Sequence, residues 1–454
     1  MISMSDLLPL IGDHLRAHLE RQRWSGAHGR HVTSVEPRWQ EVVRAEAPML
    51  VWTVARVRFD DGDEQDYQLF LGIRPADPMP EFLQGKEREL VAVLPDATPP
   101  VVVYDALVDP DLAIEVLHLV APDLEVSVRR PIVLEHSNSS IVFDEAHILK
   151  IFRRVEPGVN PDAEITRVLS GRGVDHVLAP IAELRRDGLD LALLREYLVG
   201  ATDGWEIARA SVRDLLAGGL APEESGADFA PDAARLGKLL ASLHLEMAHA
   251  WGAAPGDNAR WAREMEANLE RVRADASDLP GAFDVTAIGD LFRSVSRVDD
   301  AGSEIRIHGD LHLAQLIKSD DGWKVLDFEG EPSRRRAERF TTSSPLRDVA
   351  GLVRSLHYAS VTGLIEWADD DPVLADLVVE WERRNREALC GAYFGADGID
   401  ELLPSSTEAR VTLLTAFELD KAVYEVGYEL GHRPDLVGIP LDAIARLVGA
   451  RAGA

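Results

Sequence analysis

The sequence predicts an α+β chain in two lobes, strand-rich first and mainly helical after. Three observations carry that prediction. From about residue 50 to residue 200, short apolar runs alternate with turn residues, the pattern of strands. After Gly204 the apolar residues recur at helical spacing instead. At 454 residues the chain also exceeds what one hydrophobic core holds, so two or three domains are expected.

The elements follow in order. The opening stretch, "MISMSDLLPLIGDHLRAHLE", has Asp6 and Asp13 where a signal peptide would carry basic charge and a long apolar core, and reads as a helix of the folded protein. Strands follow in "MLVWTVARVRFDDGDEQDYQLFLGI", around a turn at Asp61-Gly62-Asp63. "PPVVVYDAL", "LAIEVLHLV" and "RPIVLEHSNSSIVFDEAHILKIFRR" continue as strands. A helix is predicted at "NPDAEITRVLSGR", with Asn160 as N-cap and Pro161 in the first turn. "HVLAPIAELRRDG" and "LDLALLREYLVG" are two further strands. The clearest later helices are "AARLGKLLASLHLEMAHAWG" and "STEARVTLLTAFELDKAVYEVGYELGHR". The domain reading is an N-terminal unit over 1–90, an intermediate subdomain over 91–203 and a helical lobe over 204–454. Strands, one helix, strands, then a helical part is the layout of a two-lobed kinase.

Composition narrows the function. With 48 basic against 78 acidic residues the net charge is −30, which argues against binding nucleic acid through its phosphates. No stretch approaches the roughly 18 apolar residues of a membrane helix. A single cysteine, Cys390, excludes an intrachain disulfide, suits a reducing cytoplasm and reads as core filler.

The chemistry gathers in "IHGDLHLAQLIKSDDGWKVLDFEGE", Ile307 to Glu331. Asp310 and Gln315 have the five-residue spacing of a kinase base and its amide metal ligand, and Asp327 ends the apolar run "WKVLDF". A turn of loop lets Asp310 face an acceptor hydroxyl while Gln315 and Asp327 offer the hard oxygens that Mg²⁺ prefers. The cation that reconciles these acids is then Mg²⁺ bridging nucleotide phosphates, whereas "SDDG", with Asp320 and Asp321, is a plain turn. The alternative is a set of turn-capping acids on a solvated surface. His308 and His312 lie beside the loop and are poor ligands for magnesium.

With "IHGDLHLAQ…VLDFEGEP…SPLRDVAGLVRSLHYA", the chain resembles the aminoglycoside phosphotransferase-like kinases, and within them the actinobacterial maltokinases and glucosamine kinases. The likeness extends through "QRW", "SNSSIVF…ILKIFRRVEPGVNPDAEI", "GATDGWEIARASVRDL" and "FELDKAVYEVGYE…HRPD". It implies a two-lobed fold with an N-terminal cap, ATP and Mg²⁺ as cofactors, Asp310 as base, and Gln315 and Asp327 on the metal. Asp348 resembles the residue that braces the catalytic loop, with Arg347 as a second candidate, although Asp348 also fits a helix cap. The likeness further implies a nucleotide base beside Glu196, Tyr197 and Leu198.

In place of a glycine-rich loop, Ser137, Asn138, Ser139 and Ser140 form a turn that could hold phosphate oxygens, or be an ordinary hairpin turn. Lys150, ten residues on in an apolar strand, needs a partner, and Glu164 on the next helix is the expected one. For the acceptor, Phe417, Lys421, Tyr424 and Tyr428 form one helical stripe with Glu418 and Glu425 beside it. Carboxylate plus aromatic suits a sugar, with Glu418, Lys421, Tyr424, Glu425, His312 and Asp310 as the contacts; a surface helix with ion pairs is the alternative. The first-ranked reaction is D-glucosamine to glucosamine 6-phosphate. "QRWSGAHGR" departs from the maltokinase pattern at Ser25 and His28, and aromatics are only 6%. Maltose to maltose 1-phosphate comes next, then an aminoglycoside-type kinase or a nucleotide-binding pseudokinase module.

Overall fold

The computed structural model describes residues 4–22, 24–27, 30–126, 132–135, 138–276, 283–330, 340–367 and 372–452. They form two compact units, Met1–Arg167 with Leu178–Val199, and Val168–Val177 with Gly200–Ala454.

In the first unit, α1 (Met4–Arg21) precedes β1 (Val32–Arg44), β2 (Met49–Phe59), β3 (Glu64–Pro75), β4 (Leu90–Leu94) and β5 (Val101–Asp105). These strands form one antiparallel sheet, ordered β1-β2-β3-β5-β4. Alternation sends Val51, Ala55 and Val57 to one face, where they pack with Ile11, Leu15 and Leu19 of α1 and with Trp24. Trp24 anchors this core and is only 4% exposed. Leu50, Trp52 and Val54 go to the other face and join a second apolar cluster. Each such side chain contributes about 1.5–3 kcal/mol on burial.

That second cluster contains α2 (Pro110–Val120), which is the stretch "LAIEVLHLV". The strand expected there is a helix. Asp109 caps it by accepting from the Asp111 amide, Pro110 sits in the first turn, and Leu112, Val116, Leu117 and Val120 bury at helical spacing. An almost continuously apolar run hides its period, so only the cap distinguishes it from a buried strand.

The second sheet comprises β6 (Ile132–Glu135), β7 (Ser139–Phe143) and β8 (His147–Ile151) together with β10 (Pro180–Arg186) and β11 (Leu189–Glu196), ordered β10-β11-β8-β7-β6. A short β9 (Arg154–Val155) pairs with β3, and α3 (Pro161–Gly171) lies between the two halves of the sheet sequence. Asn160 caps α3 as expected, its Oδ1 accepting from Asp162 N at 2.8 Å and Ala163 N at 3.3 Å. A domain boundary at residue 90 is not present. The first sheet extends to Asp105, and one apolar cluster runs from Leu50 through α2 to Leu194. The unit ends at Val199, not 203.

The second unit opens with β12 (Thr202–Asp203), α4 (Gly204–Gly218), α5 (Ala230–Trp251), β13 (Ala253–Pro255), α6 (Asn258–Asp275) and α7 (Val285–Val295). Then come β14 (Ser303–Ile305), β15 (Leu316–Ser319), β16 (Gly322–Val325), α8 (Leu346–Trp367), α9 (Pro372–Phe394), α10 (Thr407–His432) and α11 (Gly438–Ala452). β12 pairs with β15, which is why the unit starts ahead of α4. Every position of α8 from Asp348 to His357 is buried, so it is the central helix of the unit.

Candidate active site

The loop 306–312 leads from β14 into a 3₁₀ turn at Leu313–Gln315 and the β15–β16 hairpin. Asp320 and Asp321 occupy the plain turn expected of "SDDG". The loop lies directly on α8: a Cβ on Gly351 would come 2.3 Å from Leu311 O, so only glycine allows this approach. Gly309 turns with φ +84°, a conformation side chains disfavour.

Asp348, fully buried near the start of α8, accepts from His308 N at 2.8 Å and Gly309 N at 2.9 Å. His244 of α5 lies 3.2 Å from the same carboxylate, with its other ring nitrogen 2.9 Å from Tyr393 Oη. Burial pushes the Asp348 carboxyl up, but the hydrogen bond and charge of His244, with the loop amide, hold it below its ordinary value. The geometry matches the bracing role expected of Asp348. His244 of α5 extends that brace to Tyr393. His308 Nε2 is 2.9 Å from Leu326 O and its Nδ1 accepts from Asp310 N at 3.3 Å, so this ring joins the loop to the strand leading to Asp327.

Asp310 itself faces α10, its Oδ1 3.0 Å from Lys421 Nζ, which lies over the Tyr424 ring at 4.7 Å. Burial raises the Asp310 carboxyl; Lys421, then His312 and His308, outweigh that and hold it below its ordinary value. His312 is half-buried, and burial keeps it below the usual imidazole value, hence neutral at pH 7. Asp310 borders a pocket of about 460 Å³ lined also by Glu264, Asn268, Arg347, Phe417, Asp420, Lys421 and Tyr424. Asp420 accepts from Asn268 Nδ2 at 2.9 Å and pairs with Arg347 at 3.3 Å.

Two expected acceptor contacts are not at this pocket. Glu418 is buried and takes the Arg386 guanidinium of α9 at 2.7 Å. Glu425 takes Arg354 of α8 at 2.6 and 3.0 Å. The two lie seven residues apart on one face of α10, and that face packs on α8 and α9 rather than on the pocket. His312 lies outside the lining too. Arg347 does not reach the catalytic loop as expected but pairs with Asp420 in the pocket. Sequence reasoning also missed Asp420, although it adjoins Lys421, and the α6 residues Glu264 and Asn268. Their i, i+4 polar spacing is that of any solvated helix face.

The proposed metal ligands are adjacent, with Gln315 Nε2 donating to Asp327 Oδ2 at 3.3 Å. Asp327 holds φ +61°, a strained backbone for a non-glycine residue, of the kind that marks functional turns. An amide and a carboxylate side by side fit a hard cation such as Mg²⁺, once the amide turns its oxygen toward it.

In the first unit, Lys150 Nζ is 3.1 Å from Asp162 Oδ2, and Arg195 Nη2 is 2.8 Å from Asp162 Oδ1. Lys150 therefore pairs with the carboxylate of Asp162. Asp162 in the first turn of α3 points inward and is fully buried, whereas Glu164, two residues on, turns to a half-buried side. Burial raises the Asp162 carboxyl, but the charges of Arg195 and Lys150 drive it far below its ordinary value. Ser140 stands opposite Lys150 across β7–β8 and so shares its face. The side chains of Asn138 and Ser139 are spent on Arg153 instead: Asn138 Oδ1 accepts from Arg153 N at 3.3 Å and Ser139 Oγ from Arg153 Nε at 2.8 Å. Ser137 lies outside the described residues. Tyr197 N donates to Ala146 O at 2.8 Å, so that amide is not available to a nucleotide base; Glu196 ends β11 exposed, and Leu198 follows half-buried.

Comparison with known proteins agrees with this architecture. The fold is shared with solved kinases that act on a small-molecule sugar. Residues 18–109 match the maltokinase N-terminal cap domain. The chain is 28% identical over 413 residues to the glucosamine kinase of Streptacidiphilus jiangxiensis, covering 86% of this chain and 84% of the relative. It is 27% identical over 335 residues to the glucosamine kinase of Mycolicibacterium smegmatis, covering 70% and 79%. A solved glucosamine kinase in complex with glucosamine, ADP and inorganic phosphate shares the fold, with TM-score 0.61, 22% identity, and coverage of 92% of this chain and 93% of that one. The chain is thus similar to glucosamine kinases over most of its length and carries a match to the maltokinase cap domain near its N-terminus.

Proposed function

We propose that the chain is an ATP-dependent kinase that phosphorylates D-glucosamine, giving glucosamine 6-phosphate. The observation that carries this reading is a half-buried Asp310, paired with Lys421, at the edge of a pocket that also holds the carboxylates of Asp420 and Glu264. Asp310 accepts the proton of the acceptor hydroxyl while that oxygen bonds to the γ-phosphorus and the bond to the ADP oxygen breaks. Asp348, through the two loop amides, holds Asp310 in place for that transfer. Asp420 and Glu264 suit an ammonium on the sugar, because carboxylates form charge-assisted bonds to it. Gln315 and Asp327 would hold Mg²⁺, which neutralises the nucleotide phosphates when bound. Lys150, oriented by Asp162, supports the nucleotide phosphates.

Maltose is the second reading, favoured by the maltokinase cap match over residues 18–109 and by Phe417 and Tyr424 in the pocket. The deciding experiment is ADP release with Mg·ATP and glucosamine, maltose, glucose, N-acetylglucosamine or an aminoglycoside. Turnover of glucosamine with N-acetylglucosamine silent supports the ammonium reading. Preference for maltose replaces it. Release with none of the five, with Asp310→Asn indistinguishable from wild type, removes the kinase reading.

A further inference from the structure

A general base works best when its reactive oxygen is open, yet Asp310 carries an ammonium of its own chain at 3.0 Å. Lys421 is held at that spot from two sides, by Asp310 Oδ1 and by the face of Tyr424 at 4.7 Å. Phe417, Lys421 and Tyr424 share one stripe of α10, and all three line the pocket. The arrangement leaves Oδ2 as the oxygen on which no lysine sits, and a carboxylate has lone pairs enough for both tasks.

We propose that Lys421 is a positioning residue that turns Asp310 Oδ2 toward the acceptor hydroxyl and keeps an acceptor's ammonium group from binding to the base. The proposal rests on the amino-sugar kinase reading above. A buried carboxylate is the strongest ammonium sink a pocket can offer. Were Asp310 bare, an amino sugar would dock backwards, with its ammonium on the base and its hydroxyl elsewhere. Lys421 occupies that sink, and like-charge repulsion sends the substrate's ammonium to the other pocket carboxylates, Asp420 and Glu264. The other charged groups around Asp310 do not substitute for it. His308 and His312 come from the loop itself, Arg347 and Asp348 from α8, and Arg271 from α6. Of these, Arg347 is paired with Asp420 and Asp348 with the loop amides.

Lys421→Met removes the charge at similar length, and Lys421→Arg keeps it. With Lys421→Met, kcat on glucosamine falls roughly 10–100-fold. KM for glucosamine falls with it, the mark of unproductive binding. On any neutral sugar that wild type turns over, kcat falls without a drop in KM. The acid limb of the kcat profile moves up by roughly one to three pH units, because the neighbouring cation is gone. Lys421→Arg recovers the profile and most of the rate. Nucleotide binding and thermal midpoint serve as folding controls, and Lys421→Gln replaces Lys421→Met if the latter does not fold. A charge-free variant with wild-type kcat, KM and pH profile overturns the proposal, as does a KM that rises for charged and neutral sugars alike. Absence of sugar turnover in wild type strikes the kinase reading first, and this proposal with it.

Discussion

The two faces of α10 carry acids of the same kind in opposite circumstances. Toward the pocket it presents Phe417, Asp420, Lys421 and Tyr424. Away from it, Glu418, Glu425 and Glu429 are each closed by a guanidinium, from Arg386, Arg354 and Arg433. On that hidden side each carboxylate is engaged by a guanidinium, that of Arg354 buried, and is unavailable to a ligand. On the pocket side, Asp420 lines the pocket while it accepts from Asn268 at 2.9 Å and pairs with Arg347 at 3.3 Å. An acid on a helix therefore serves substrate or scaffold according to what faces it, not according to its identity or count.

The largest expected effect tests the pocket face through the residue it addresses. Asp310→Asn should lower kcat roughly 10²–10⁴-fold with nucleotide binding kept, measured by ADP release and calorimetry. A variant with wild-type turnover would remove Asp310 from the chemistry. On the hidden face, Glu425→Ala strands the buried Arg354 and should destabilise by about 3–5 kcal/mol, read from denaturant midpoints. Its KM for sugar should stay at the wild-type value, and a selective rise in KM would erase the distinction between the faces. Asp420→Asn should do the reverse. KM for glucosamine rises roughly tenfold, one charge-assisted bond, while stability stays within about 1 kcal/mol. An equal rise for neutral sugars would deny Asp420 the ammonium.

The smallest effect concerns pH and the scaffold acid of the loop. Asp348 has a folded value below its ordinary 3.8, so its stabilisation is fully present above that value and fades as pH falls through the lowered folded value. The stability gap between wild type and Asp348→Asn should be constant from pH 7 to 5 and shrink only below the ordinary value. A gap that already closes between pH 7 and 5 would mean the carboxylate is not held ionised by His244 and the loop amides.

Much of this was legible in the chain because the informative contacts are local. Asp310, Gln315 and Asp327 lie within one loop and hairpin, and Asn160 caps the helix that follows it. α2 was misread as a strand because a run such as "LAIEVLHLV" is apolar at nearly every position, and the period that separates helix from strand is then hidden in the sequence. The pairing of Lys150 with Asp162 was not legible in the chain. Both Asp162 and Glu164 lie in the first turn of α3, and which one points inward depends on the packing of that helix against β8 and β11.

By itself the sequence determined the two-lobed α+β plan, the loop and hairpin that bring Asp310, Gln315 and Asp327 close together, and the helix that bears Lys421 and Tyr424. Those features follow from spacing along the chain, which covalent geometry converts directly into turns and faces. Only the tertiary structure decided that Asp348 and His244 hold the loop, that Arg347 and Asp420 belong to the pocket, and that Glu418 and Glu425 do not. Those assignments depend on which cation or amide another helix brings within about 3 Å, and ion pairing at that range is set by packing between segments far apart in sequence.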